Sequence, residues 1–427
     1  MYVYLVKKGE TLPSIARSVG VDPDELSELN QIYEETPVPG TSLLVPTSVA
    51  TELVTYTVQR GDTLRKVTGR FRMPEKIALA ANRSLHAEDL TEGRILTLPI
   101  PRLQKAPLEV NLRLELEEVT ENRETVEDAR PALSSFSASS VLVDGEGGLH
   151  FPLNNERHVE MLAHHAKCRS LVLVQPFDDK AARRVLYHSP SRRHFFANLM
   201  QWVAADSFSG VHLEFLGLAP EHRFQFNGFV RELATRVRQK KGVLYVGVPP
   251  HYEDDPQHLR AGAYDLSLIG QYADRVVWNV DEAYGRTEGP PMSLAPYHLI
   301  QRTLLHALTV VQKRKLLLGL PFYGYDWARP YTSDSHPYMI LHGPPTPETD
   351  VVELPKQVLW DERALSPMFV YRDGSGDLRE AWYEDARSIA AKLHLVQALG
   401  LAGISGKVYG ATMPALWQMI ADSYEIA

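Results

Sequence analysis

The chain has one cysteine, Cys168, in 427 residues. A lone thiol excludes an internal disulfide and a cysteine-built zinc site. No activating base stands near it in sequence, so a small buried or half-buried structural thiol is expected. No apolar run reaches the length needed to cross a membrane. The opening stretch "MYVYLVKKGE" moves straight into alternation, without a charged segment followed by an apolar one, so no secretory signal is expected. Basic residues do not dominate: 45 Lys and Arg face 53 Asp and Glu, a net charge of -8. That balance gives no reason to expect nucleic acid or an anionic membrane as partner. No cofactor and no metal are expected either. His251, Asp254, Asp255 and His258 come nearest to a ligand cluster, but they lie in a polar stretch that reads as a solvated loop.

What is present points to several domains. The length exceeds one ordinary core, and 44% hydrophobic with 23% charged residues suits a globular chain. Near the start the sequence repeats itself. Tyr4 and Tyr56, Gly9 and Gly61, Thr11 and Thr63, Leu12 and Leu64, and Asn30 and Asn82 keep one offset of 52, which becomes 53 by Pro46 and Pro99. Each unit reads strand, helix, helix, strand. "YVYLV" alternates, and Gly9 or Gly61 then supplies a turn. Leu12, Ile15, Ala16 and Val19 share a helical face, and Asp22 before Pro23 is a helix start. "TSLLVP" and "RILTLP" close the units as second strands.

The pattern "YxVxxGDTL", a helix, an Asn and a closing "LxLP" resembles LysM modules. The resemblance implies binding of N-acetyl groups of peptidoglycan or chitin chains in a shallow groove between the first loop and the second helix. The implied glycan-binding residues are Gly9, Glu10, Thr11 and Asn30 in the first copy, and Gly61, Asp62, Thr63 and Asn82 in the second. Glu10 stands where Asp is usual. Two weak sites on one chain imply avidity.

Prolines at 99, 101 and 107 with basic neighbours mark a short linker. Beyond it, eight strand candidates alternate with amphipathic helices: "EVNLRL", "FSASSVLV", "SLVLVQPF", "GVHLEFL", "VLYVGVPP", "RVVWNV", "KLLLGLPFYGY" and "LAGISGKVYG". Eight such strands in an α/β chain predict a (β/α)8 TIM barrel. An open doubly wound sheet is the rival, but no glycine-rich phosphate loop follows the first strand. A proline-rich stretch from Trp327 to about Arg379 reads as an insertion after strand seven. The expected boundaries are 1–48 and 54–101 for the modules and 108–427 for the barrel.

Barrel chemistry sits at the C-terminal ends of the strands. In "GVHLEFL", alternation sends Val211, Leu213 and Phe215 toward the helices and His212, Glu214 and Leu216 inward. Buried polar groups there mark either a site or an internal hydrogen-bond network.

The order of segments, with "GVHLEFLGLAPEHRFQFNGFVREL", "LLLGLPFYGYDW" and "SPMFVYRDGSGDLREAWYEDARS", resembles family-18 glycoside hydrolases. It is most similar to spore N-acetylglucosaminidases that carry two LysM modules and act on cortex peptidoglycan. That family hydrolyses with help from the substrate's own acetamido group, on a strand-four pattern DGxDxDxE. The resemblance gives Ser209 and Gly210 the first two positions, His212 the middle Asp, Glu214 the assisting Asp and Leu216 the proton-donating Glu. Asp281 falls where a supporting Tyr is implied, Glu282 matches a subfamily Glu, and Lys407 falls where a floor Trp is implied. Tyr325, Asp326 and Trp327 have either sugar-facing or packing roles. Trp382, Tyr383 and Glu384 are implied to close the cleft.

A leucine cannot donate a proton. Glu214 lies two residues back, roughly 6.6 Å along an extended strand. Two readings follow. The first is a glycan-binding protein whose barrel is a pseudoenzyme. The second is an active N-acetylglucosaminidase using Glu214 in a remodelled site. A pure assembly scaffold is a third class. The resemblance also implies a spore cortex or coat location, with spore-coat proteins as candidate partners; apart from the resemblance, a cytoplasmic location is expected.

Overall fold

The computed structural model describes residues 1–46, 51–71, 73–82, 90–101, 105–115, 121–151, 156–204, 208–280, 290–332, 340–341, 351–353, 356–409 and 414–427. Two small units come first. β1 (Tyr2–Leu5), α1 (Leu12–Val19), α2 (Pro23–Asn30) and β2 (Ser42–Val45) form one; β3 (Thr51–Thr57), α3 (Leu64–Arg70), α4 (Glu75–Ala80) and β4 (Ile95–Pro101) form the other. In each, the two strands pair antiparallel. Pro99 and Pro101 lie within β4 rather than in a linker, and Pro107 lies in the next strand.

The rest alternates strand and helix. The elements are β5 (Ala106–Glu115), α5 (Glu121–Ala129), β6 (Ser135–Val143), β7 (Leu149–His150), α6 (Glu156–Ala166), β8 (Arg169–Pro176), α7 (Asp179–Tyr187), α8 (Ser189–Ala204), β9 (Gly210–Leu213), α9 (Arg223–Gln239), β10 (Val243–Val248), α10 (Leu266–Tyr272), β11 (Arg275–Asn279), α11 (Tyr297–Val310) and β12 (Leu316–Pro321). After β12 come β13 (Gly324–Ala328), β14 (Ile340–Leu341), β15 (Val351–Glu353), β16 (Leu359–Asp361), β17 (Ser366–Asp373) and β18 (Leu378–Trp382). The chain ends with α12 (Ala386–Leu399), β19 (Gly403–Tyr409), α13 (Pro414–Ser423) and β20 (Tyr424–Ile426).

Strands β5, β6, β8, β9, β10, β11, β12 and β19 pair in parallel, and β19 returns to β5, so the sheet closes into an eight-stranded barrel. This is the expected TIM barrel. The stretch "KLLLGLPFYGY" is not one strand. It breaks after Pro321, and β13 leaves the barrel for an antiparallel sheet with β14, β17 and β18. That sheet is the insertion after strand seven.

Strand alternation sorts the core. Val110, Leu112 and Leu114 of β5, and Val211 and Leu213 of β9, join the outer core under the helices. Phe215 follows them outward and stacks on Phe229 of α9, with ring centroids 5.4 Å apart. Inside the barrel, Leu171, Tyr245, Val277 and Leu317 form a separate apolar cluster. Below it, Glu109 accepts from the Tyr245 hydroxyl and from Arg275.

The first small unit is not a bead on a tether. Met1, Val3, Leu5 and Leu44 belong to the same hydrophobic cluster as the barrel's outer core. Ser42 Oγ donates to Asp385 Oδ2 at 2.6 Å, and Val358 N–H donates to the Pro39 carbonyl at 2.8 Å. The second unit has its own core of Val54, Val58, Leu64, Val67 and neighbours. Cys168 packs against the main core, half-buried as expected, and burial pushes its thiol up to about 11.

Candidate functional site

The inner face of the barrel turns polar toward its C-terminal mouth. Asn111 and Arg113 of β5, Ser137 of β6, Gln175 of β8, His212 of β9, Asn279 of β11, and Ser405 and Lys407 of β19 occupy inward positions of the two-residue alternation. Glu214 comes immediately after β9, and its N–H still pairs with the Val174 carbonyl at 2.9 Å. Its side chain therefore stays in register with His212.

The Glu214 carboxylate is almost fully buried, and both oxygens are occupied. Oε1 accepts from Arg113 Nη1 at 2.8 Å and from Asn279 Nδ2 at 2.9 Å; Oε2 accepts from Gln175 Nε2 at 3.1 Å. Two glycines make room for this cluster. A Cβ on Gly247 would stand 2.7 Å from Asn279 Nδ2 and 2.9 Å from Glu214 Cγ. A Cβ on Gly319 would stand 2.7 Å from Asn279 Oδ1.

Burial alone would raise the Glu214 pKa. The charges of Arg113, His212 and Lys407 and the Asn279 hydrogen bond outweigh it and bring the group down to about 2. His212 is also fully buried. Burial depresses it to about 4, against the pull of Glu214 and with the push of Arg113. Its Nδ1 lies 2.9 Å from Ser137 Oγ; its Nε2 lies 3.4 Å from Glu214 Oε1 without hydrogen-bond geometry. At neutral pH the pair is therefore a neutral imidazole beside an ionised carboxylate.

Leu216 lies in the loop beyond β9, half-buried. The Tyr264 hydroxyl fixes this turn, donating to the Phe215 carbonyl at 2.7 Å and accepting from the Leu218 N–H at 3.2 Å. Lys407 is buried at the mouth, with Nζ 3.8 Å from Glu115 Oε1 and 5.3 Å from the centroid of the Tyr409 ring. Asp281 and Glu282 lie outside the described residues.

The insertion sheet distributes its candidates unevenly. Asp326 is fully buried and holds the sheet together, accepting from Arg379 of β18 and from the Tyr371 hydroxyl of β17. Trp327 is also fully buried. These two pack, so the sugar-facing alternative does not describe them. Tyr325 and Trp382 are half-buried and stand opposite each other across β13 and β18. Glu384 is buried away from solvent, receives Lys392 Nζ at 2.6 Å, and accepts from Ser366 Oγ at 3.2 Å. Burial pushes Glu384 up and Lys392 down, and their mutual contact opposes both shifts. Of the loop histidines and acids after β10, Asp254 receives Arg223, and His258 Nδ1 accepts from the N–H groups of Arg260 and Ala261.

In the small units the motif residues build the turn. Gly9 and Gly61 have φ of 83° and 82°, a region that favours glycine. Glu10 accepts from the Tyr4 hydroxyl at 2.7 Å and from Lys7 N–H at 2.8 Å; Asp62 does the same for Tyr56 and Gln59. Thr11 and Thr63 cap α1 and α3. Asn30 and Asn82 are buried, and each side chain spends its amide on local backbone. Asn30 bonds Leu26 and both backbone groups of Leu44; Asn82 bonds Ala78 and both backbone groups of Thr97. They staple the second helix to the second strand rather than lining a groove.

Arg113 was missed by sequence reasoning. Its signal was available: "EVNLRLE" places Glu109, Asn111, Arg113 and Glu115 on one face, so an inward polar stripe was readable from the alternation.

The sequence profile of glycosyl hydrolases family 18 matches residues 178–406, and that of the LysM domain matches residues 4–46 and 56–99. A cortical fragment-lytic enzyme of Bacillus subtilis (strain 168) is 28% identical over 439 residues, covering 100% of this chain and 99% of its own. The crystal structure of the spore cortex-lytic enzyme SleL of Bacillus cereus is similar with a TM-score of 0.80 at 24% identity, covering 100% of this chain and 98% of that one. SleL of Bacillus megaterium QM B1551 gives a TM-score of 0.77, also at 24% identity, with the same coverage. Among the described residues no helix is long and apolar enough to cross a membrane.

Proposed function

The chain belongs to glycosyl hydrolase family 18, and we propose that it binds N-acetylglucosamine-containing glycan through its LysM modules while its barrel does not hydrolyse it. The observation that carries this reading is the state of Glu214. A general acid must hold a proton near the operating pH and hand it over within about 3 Å. With Arg113 against it and its pKa held at about 2, Glu214 is ionised at neutral pH and has no proton to give. Both of its oxygens are already engaged by Arg113, Asn279 and Gln175. Leu216, at the position where the resemblance puts the proton donor, offers only hydrocarbon.

The glycan would be cortex peptidoglycan or a related polysaccharide. The name of the Bacillus subtilis relative supports that class and a location at the spore cortex. Spore-coat proteins are the partners such a location would bring within reach.

A second reading has one observation in its favour: the relatives that span this whole chain carry the names of lytic enzymes. In that reading Glu214 acts after substrate displaces Arg113. The test is incubation of the pure protein with cortex fragments and with chitooligosaccharides. The expected result is no release of reducing ends above a Glu214→Gln control. Steady release that the substitution abolishes would establish the second reading instead.

A further inference from the structure

An open cleft of about 890 Å3 lies between the two LysM modules. Its first wall comes from module one: Tyr2 and Tyr4 of β1, Val19 at the end of α1, and Val21 in the turn before α2. Its second wall comes from module two, where α4 presents Lys76 and Ile77. Neither module encloses this space alone. Its volume falls in the range of small-ligand pockets.

The lining narrows the ligand class. Tyr2, Val19, Val21 and Ile77 are half-buried, so apolar surface remains open to a ligand. The charges nearly cancel: Lys7 and Lys76 face Glu10, Asp22 and Glu25. Such a surface exerts little pull on a polyanion. Apolar patches with donors and acceptors of both kinds suit a sugar chain, which has C–H faces edged by hydroxyl and acetamide groups.

The cleft is also held in shape. Tyr4 is fixed by its hydroxyl on Glu10 at 2.7 Å. On the opposite side of the same strand, Val3 and Leu5 sit in the barrel's core cluster. Ala80 of α4 packs against the core of module one, so the second wall is attached to the first. A rigid wall spares a ligand the ordering cost of assembling it.

We propose that this cleft is one composite seat for an N-acetylhexosamine oligosaccharide, built by both modules together. The proposal rests on the reading of the modules as glycan binders. It places the ligand against α1, the α1–α2 turn and α4. Asn30 and Asn82 take no part, because their amides are spent on backbone. The two repeats then contribute different surfaces to one seat, α1 with the α1–α2 turn from the first and α4 from the second.

The test uses the full chain with N-acetylchitohexaose and, separately, insoluble peptidoglycan. Val21→Arg and Ile77→Arg each add bulk and charge to one wall. Each is expected to weaken hexaose binding by at least about tenfold in calorimetry, with an unchanged melting curve. An independent measurement needs no variant. Acetylation of Lys7 and Lys76, followed by mass spectrometry, is expected to slow several-fold when the hexaose is bound, while the exposed Lys240 on the barrel reacts as before. Wild-type binding with neither lysine protected overturns the cleft alone. So does full affinity in both folded variants. No binding of wild type to either glycan overturns the glycan-binding reading, and the cleft with it.

Discussion

Arg113 on barrel strand β5 and Glu214 just past the end of β9, about a hundred residues apart in sequence, meet with Nη1 2.8 Å from Oε1, each almost wholly removed from solvent. A buried pair gains from its geometry only while both partners are present. Arg113→Met would strand the carboxylate in a site that has lost its main compensating charge. Folding stability is expected to fall by about 3–5 kcal/mol, read as a lowered urea midpoint. The double variant Arg113→Met/Glu214→Gln is expected to recover a large part of that loss. A single variant as stable as wild type would mean the pair is not what holds Glu214 ionised.

Acid should weaken the fold in two stages. His212 is held at about 4, below its unfolded value of about 6.5. As pH falls from 6.5 to 4 the unfolded chain takes a proton that the folded chain refuses, so stability is lost across that window. The loss from this group is on the order of 3 kcal/mol. Glu214 is held down at about 2. Its contribution is present above the unfolded carboxylate range and disappears as pH falls from about 4.5 toward 2. His212→Asn is expected to flatten the upper window and, by removing one of the positive neighbours of Glu214, to narrow the lower one without abolishing it, because Arg113 remains. Denaturant midpoints measured at steps of half a pH unit would separate the two.

Gly247 leaves the space that Glu214 and Asn279 fill. Gly247→Ala would press a methyl group into both side chains at separations no relaxed contact allows. Overpacking of this kind costs about 1–3 kcal/mol. Thermal denaturation should show the loss. A neutral result would mean the Glu214 side chain can move aside, which would favour the catalytic reading.

Asn82 ties its module together with one hydrogen bond to Ala78 of the second helix and two to Thr97 of the second strand. Asn82→Ala leaves buried backbone groups without partners, at about 1–3 kcal/mol. The expected signature is faster amide exchange across β3 and β4, with glycan affinity lost only in proportion to unfolding. Loss of affinity in a fully protected module would give Asn82 a direct role in binding.

Much of the architecture was legible because strands that bury both faces announce themselves as short apolar runs between amphipathic helices. The sides of β9 were legible for the same reason, with Phe215 outward and Glu214 inward. Three things were not. The break after Pro321 was hidden because "LPFYGY" stays apolar while the chain changes sheets. The fates of Asp326 and Glu384 were hidden because their partners, Arg379 and Lys392, lie 53 and 8 residues away and only folding brings them together. A carboxylate beside a tryptophan reads alike whether it grips a sugar or a guanidinium. Arg113 was hidden for a different reason: an arginine inside an apolar strand matches no catalytic pattern by itself, although strand one carries an inward polar stripe like that of strand four.

The shared packing of Val3, Leu5 and Leu44 with the barrel turns the first module into a fixed handle. Trimming it away would uncover an oily patch on the larger body, so truncated forms lacking it should clump rather than float free. A first module that binds glycan would therefore hold it at one fixed place on the barrel rather than swing on a tether.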